Sequence, residues 1–186
     1  MFNKIFAALN YFFDLAVFFS KGGVYSARRK GVKVGNRCRI YIHSFGTEPF
    51  LITIGNSVTI TSGVRILTHD GSTGLILNKN GSRYQYYAPV TIGDNVFVGV
   101  NSIIMPGVKI GSNVIIGAGS VITKDVMENS VVVGNPARYI CSFNDYKEKV
   151  IAGFANDDDL VCFNRYEDRV RKSIEIFDAK RKNRYG

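Results

Sequence analysis

"IGDNVFVGVNSIIMPGVKIGSNVIIGAGSVITKDVM" occupies residues 92–127, and cut every six residues it becomes IGDNVF, VGVNSI, IMPGVK, IGSNVI, IGAGSV and ITKDVM. Position one is always Ile or Val, position two is mostly Gly, and position five is Val or Ser. A period of six fits neither the 3.6-residue turn of a helix nor a heptad. It is three two-residue alternations, the spacing of strands. Ile or Val at position one recurs at the same spacing in VGNRCR (34–39), IGNSVT (54–59), ITSGVR (60–65) and ILTHDG (66–71), and VGNPAR (133–138) closes the series. Short flat strands that turn a corner at a Gly or Asn able to take φ > 0 stack into a solenoid. Position one then fills the axis, and the small or β-branched residue at position five sits at the corner. The expected fold is a parallel β-helix. Its open edges lie only at the two ends, where a cap is expected.

The rest of the chain bounds this reading. Its 186 residues allow one domain with a real core and a small appendage. A hydrophobic content of 46% with mean hydropathy of +0.03 is that of a soluble globular protein. The net charge of +9 is concentrated in "ARRKGVKVGNRCR" (27–39) and in the tail from Arg165 to Arg184. Such a balance suits nucleic acid, anionic lipid or an anionic small substrate such as a phosphorylated cofactor. The chain holds no zinc-finger spacing, recognition-helix pattern or aromatic-glycine RNA signature, so no nucleic-acid partner is expected. Cys38, Cys141 and Cys162 are scattered without CxxC, which fits a reducing, cytoplasmic setting. "IFAALNYFFDLAVFF" (5–19) is apolar but shorter than the roughly 20 residues of a bilayer span. It reads as a helix packed on the body of the protein or a sister subunit. The alternative is peripheral contact of residues 1–30 with the inner face of a membrane, through Lys21, Arg28, Arg29 and Lys30.

The register runs 54, 60, 66 and restarts at 92, a gap that is not a multiple of six. "STGLILNKNGSRYQYYAP" (72–89) is therefore an excursion from the solenoid. Since long loops in compact domains are usually functional or disordered, it reads either as a plain surface hairpin or as an arm over an active site. His69, one of only two histidines, stands just before it. His43 has no supporting motif and reads as a structural polar residue.

"FGTEPFLITIGNSVTITSGVRILTHDG" (45–71), "VTIGDNVFVGVNSIIMPGVKIG" (90–111), "GAGSVITKDV" (117–126) and "VVVGNPAR" (131–138) resemble the hexapeptide-repeat acyltransferases. Within that family they are similar to the maltose/galactoside acetyltransferase branch and, in "EPFLITIG" and "THDG", to bacterial polysaccharide O-acetyltransferases. The resemblance implies an all-β fold, a left-handed parallel β-helix over residues 32–142. An N-terminal helix and linker (1–31) would precede it, and a helical extension (143–186) would follow. It implies a homotrimer with sites between subunits beside the excursion, acetyl-CoA as co-substrate, and a sugar or polysaccharide-precursor acceptor.

Acyl transfer from a thioester to a hydroxyl needs a base for the alcohol proton, a donor for charge on the thioester oxygen, and in-line positioning. Imidazole titrates in the right range, and His69 matches the family's catalytic histidine. Asp70 and Glu48 are candidates to orient that imidazole or to bind sugar hydroxyls, and Asp70 can instead turn the chain. The resemblance adds Asn101 on the acceptor side. On the cofactor side it aligns Lys124 and Arg138 with phosphate contacts, Ala118 and Thr123 with the pantetheine arm, and Phe97 with the thioester end, and it adds Gly99 as a further cofactor-binding residue. Two histidines cannot supply a three-histidine zinc site, so no metal is expected. An antibiotic, an amino-sugar nitrogen or a small metabolite such as serine is the competing acceptor, and a non-catalytic β-helical scaffold the more distant alternative. In the tail, "FNDYKEKV" reads as a helix start and "NDDDL" as a capped turn. "YEDRVRKSIEIFDAKRK" reads as a helix with Val170, Ile174 and Phe177 on one face.

Overall fold

The computed structural model describes residues 2–185. Helices α1 (Phe2–Lys21) and α2 (Gly23–Arg29) lead into the coils. The first coil holds β1 (Lys33–Val34) and β2 (Arg39–Ile40), and the second β3 (Ile52–Ile54), β4 (Thr59–Ile60) and β5 (Arg65–Ile66). Strands β6 (His69–Asp70) and β7 (Tyr86–Tyr87) form an arm. The third coil is β8 (Val90–Ile92), β9 (Val96–Val98) and β10 (Ile103–Ile104), and the fourth β11 (Lys109–Ile110), β12 (Val114–Ile116) and β13 (Val121–Ile122). Strands β14 (Ser130–Val133) and β15 (Arg138–Ser142) close the stack.

These strands make the three faces of a prism, ordered β1-β3-β8-β11, β2-β4-β9-β12-β14-β15 and β5-β10-β13. Every pairing from β1 to β11, β2 to β14 and β5 to β13 is parallel. Ile92 lies beside Ile110, and Val98 beside Ile116, so a regular coil takes 18 residues, or three hexapeptides. Val34 beside Ile54 makes the first coil 20 residues long. The two extra residues fall in the stretch that carries Glu48.

Position one fills the axis as the period requires. Ile54, Ile60, Ile66, Ile92, Val98, Ile104, Ile110, Ile116 and Ile122 are each at most 2% exposed. Burying one such side chain contributes roughly 1.5–3 kcal/mol before entropy is counted. Position five is buried where it is Val or Ser, and the serine hydroxyls are satisfied: Ser102 and Ser120 both donate to the Gly117 carbonyl, at 3.0 and 2.6 Å. Position four makes the corner. Ser57, Gly63, Asn95, Asn101, Gly107, Asn113 and Gly119 take φ between 55° and 83° there. Asparagine is favoured because it tolerates this region and its amides stack: Asn95 Nδ2 donates to Asn113 Oδ1 at 2.8 Å, and Asn113 Nδ2 to Asn129 Oδ1 at 3.0 Å. Glycine at position two has a different cause, close approach of the next coil. A Cβ on Gly99 would stand 2.5 Å from the Ala118 amide nitrogen.

His69 is the position-four residue of its own hexapeptide, and it lies in the extended strand β6 instead of turning the corner. The excursion thus starts at His69, not residue 72, and ends at Tyr87: the two residues pair across an antiparallel ladder, as do Asp70 and Tyr86. A bridge between Leu77 and Arg83 continues the hairpin. Thr73 Oγ1 donates to the Asp70 and Tyr84 carbonyls, fixing the turn Gly71–Leu75 against the returning strand. Tyr86 leans over the next coil, where a Cβ on Gly107 would come within 3.1 Å of its hydroxyl.

Asp14 on α1 pairs with Arg29 and, at 2.8 Å, with Lys30, and Phe18 lies edge-on to His43. The helix is not sheathed all round, since Leu9, Phe12 and Phe19 are 61–80% exposed. Among the described residues no helix is long and apolar enough to cross a membrane.

The chain divides into two units, Met1–Cys141 and Ser142–Gly186. In the second, α3 (Phe143–Gly153) opens with a capping box, Ser142 accepting from the Asp145 amide and Asp145 from the Ser142 amide. Asn156 caps the turn Asp158–Leu160, and α4 (Tyr166–Tyr185) stacks Phe177 on Phe154 with ring centroids 5.5 Å apart.

Candidate active site

The extra length in the first coil places a short 3₁₀ turn, Pro49–Leu51, ahead of β3, with Glu48 at its start. Glu48 thereby reaches the point where the second coil gives way to the arm. Its Oε2 accepts from the buried Thr68 hydroxyl at 2.7 Å and lies 2.9 Å from His69 Nδ1, while Oε1 accepts from Thr47. The Thr47 hydroxyl first, then Thr68 and His69, lower the Glu48 carboxyl to about 2. An ionised carboxylate can only accept, so Glu48 favours a proton on His69 Nδ1, the tautomer that in the neutral ring leaves the lone pair on Nε2. The imidazole is 44% exposed, and Tyr87 flanks it at 5.9 Å between centroids.

Asp70 is turned to another task. Its Oδ1 accepts from the Ser72 amide at 2.9 Å, capping the turn that starts the arm. Ser72, through hydroxyl and amide, and then the charge of His69, hold its carboxyl below the usual range. Of the two carboxylates expected to compete for the imidazole, the contact belongs to Glu48. Thr47 and Thr68 lie inside the matched stretches "FGTEPF" and "THDG", but the sequence assigns neither of them a role. The one signal for Thr68 is strand alternation, which turns it inward when its neighbour His69 points out.

His69 and Asp70 line a cleft of about 320 Å³ with Thr73, Arg83, Tyr84, Tyr86 and Tyr87 of the arm. A second concavity, of about 460 Å³, is lined by Thr123, Lys124, Arg138 and Tyr139. Its lining carries two cations, Lys124 and Arg138, and the hydroxyls of Thr123, Ser130 and Tyr139 beside one carboxylate, Asp125, and the two cations suit a phosphate-bearing ligand. The two share no lining residue. They follow the same edge of the prism, because β5, β10 and β13 are stacked in register and the chain leaves each at that edge. With strands ~4.8 Å apart, Lys124 lies two coils from Thr68, or about 10 Å along the axis. Phe97 stands 43% exposed on another face between Thr59 and Ile115. Phe97, Gly99, Ala118 and Asn101 line neither concavity. Asn101 makes a corner beside Gly63, its amide donating to the Ser62 carbonyl. Of the histidines, His43 packs between Tyr11 and Phe18 with its Nδ1 unpartnered, and its carbonyl takes a bond from Lys30.

Residues 89–124 match the family model described as a hexapeptide repeat of succinyl-transferase. Protein CapG of Staphylococcus aureus is 48% identical over 161 residues, covering 85% of this chain and 89% of that protein. Galactoside O-acetyltransferase of Escherichia coli strain K12 is 33% identical over 122 residues, covering 66% of this chain and 59% of the relative. A solved galactoside acetyltransferase in complex with coenzyme A is 30% identical, covers 67% of this chain and 71% of its own, and superposes with a TM-score of 0.50. The stacked parallel coils and these relatives define one class, and the chain belongs to the hexapeptide-repeat acetyltransferase family of enzymes.

Proposed function

We propose that this enzyme transfers an acetyl group from acetyl-CoA to a sugar hydroxyl, in the building or modification of a surface polysaccharide. The observation that carries the reading is the Glu48–His69 pair, at 2.9 Å, whose imidazole lines a cleft bounded by tyrosines. Acetyl-CoA supplies the activated acyl group. His69 Nε2 takes the proton of the acceptor hydroxyl as it attacks the thioester, and returns it to the departing sulfur. Glu48 fixes the tautomer and balances the positive charge that His69 gains. Thr68 and Thr47 hold Glu48 in turn, and Asp70 shapes the arm.

Lys124 and Arg138 serve as phosphate contacts, and Thr123 and Ala118 border the pantetheine arm. Phe97 and Gly99 bound the acyl end, and Asn101 meets the acceptor. The solenoid is left-handed, as the family resemblance implies, and the working unit is a homotrimer whose sites are completed between subunits. Two features support that assembly: the arm carries its exposed Leu75, Ile76 and Leu77 outward, and the His69 cleft and the cationic concavity share no residue within one chain.

The test is release of free thiol from acetyl-CoA by purified protein, with and without a panel of sugars and oligosaccharides. Acceptor-dependent release with acetyl found on oxygen supports the proposal. Release only with antibiotics, amines or serine, or none at all, rejects it.

A further inference from the structure

Arg83 is the only cation in the lining of the cleft that His69 borders. Its backbone is held on both sides: it bridges Leu77 across the arm, Tyr84 donates to the Ile76 carbonyl, and Ser82 donates to Asn78 Oδ1. Its stem runs over Gly74, where a Cβ would lie 3.7 Å from the Arg83 Cδ. The guanidinium has no ion pair and no hydrogen bond among the described residues. The one carboxylate in the same lining, Asp70, is committed to the Ser72 amide. A cation on a hydrogen-bonded arm, lining the cleft with the imidazole and held in no ion pair, is free to meet an anionic ligand there.

We infer that the acceptor is an anionic sugar whose carboxylate or phosphate is received by Arg83 while a ring hydroxyl meets His69. The guanidinium presents a planar fork that matches either group bidentately. Tyr84, Tyr86 and Tyr87 supply what a sugar ring needs beside it, flat apolar faces for its C–H side and hydroxyls for its oxygens. This inference rests on the proposed sugar acetylation and names the acceptor within it. Arg83 is then a specificity residue that binds substrate and takes no part in the proton transfer.

The experiment compares three acceptors of one skeleton: a methyl galactoside, the same glycoside with a carboxylate at C6, and the same with a phosphate at C6. Acetyl transfer is followed for the full-length wild type, Arg83→Gln and Arg83→Lys. The expected wild-type preference for an anionic over the neutral acceptor is roughly 10- to 100-fold in kcat/KM, the usual worth of a hydrogen-bonded charge pair. Arg83→Gln should collapse that ratio towards one through a rise in KM for the anionic acceptor, and Arg83→Lys should retain part of it. The carboxylate and phosphate arms tell which anion the fork fits better. Equal use of all three acceptors by the wild type, or a preference that survives in Arg83→Gln, overturns the inference and leaves sugar acetylation standing. Transfer to none of the three, nor to any sugar or oligosaccharide of the wider panel, removes the sugar-acetylation reading, and the inference with it.

Discussion

Replacing Glu48 by glutamine keeps the size of the side chain and one acceptor oxygen but removes its charge. In the native site one oxygen, Oε2, receives both the Thr68 hydroxyl and His69 Nδ1, at 2.7 and 2.9 Å. The amide of the variant cannot accept at both of its ends. The Thr47 hydroxyl or the Thr68–His69 pair must give up its partner or meet an N–H group. The charge also matters more as the reaction proceeds, because His69 becomes cationic only when it has taken the acceptor proton. Losing a charge-assisted hydrogen bond that strengthens in that way is expected to lower kcat by ~10- to 100-fold with little change in KM for acetyl-CoA. Steady-state thiol release against acceptor and acetyl-CoA concentration separates the two constants. A Glu48→Gln enzyme with wild-type kcat would refute the orienting role.

Acid should act through the same carboxyl. Because folding lowers Glu48 from 4.5 to about 2, its contribution is complete above the unfolded value and fades as pH falls towards about 2. Unfolding midpoints measured from pH 6 to 3 should therefore decline less steeply for Glu48→Gln than for the wild type. Asp70→Asn should cost far less activity than Glu48→Gln, since asparagine still accepts from the Ser72 amide; equal losses in the same thiol assay would contradict the division of labour between the two. Gly99→Ala forces a Cβ to within 2.5 Å of the Ala118 nitrogen, and a strain of about 1–3 kcal/mol should show as a drop of several degrees in Tm. Asn113→Ala breaks two rungs of the asparagine ladder and puts alanine at φ 56°, a loss of roughly 2–4 kcal/mol measurable by urea unfolding.

The solenoid was legible because its determinants are local and repeat. An aliphatic at position one is buried whichever coil it belongs to, and a residue tolerant of φ > 0 at position four turns every corner that Asn95, Asn101 and Asn113 occupy. What broke the repeat was visible, but where it broke was not. His69 and Tyr87 belong to the arm through an antiparallel pairing that no six-residue period encodes. The same limit applies to the site. His69 stands out as a histidine at a break, but its choice of Glu48 over the adjacent Asp70 depends on coil stacking and on the two residues by which the first coil is overlong. Chain proximity favours Asp70, and the capping of Ser72 withdraws it. Arg83 is inconspicuous in a tyrosine-rich loop, because a charge without an ion pair is recognisable only once the other charges of its cleft are located.

The most direct measurement is the turnover of His69→Ala with acetyl-CoA and a sugar acceptor, on protein checked to melt and assemble like the wild type. A general base is worth about 10²–10⁴-fold, so kcat should fall by that factor. Turnover near the wild-type value would place the base elsewhere and contradict the account.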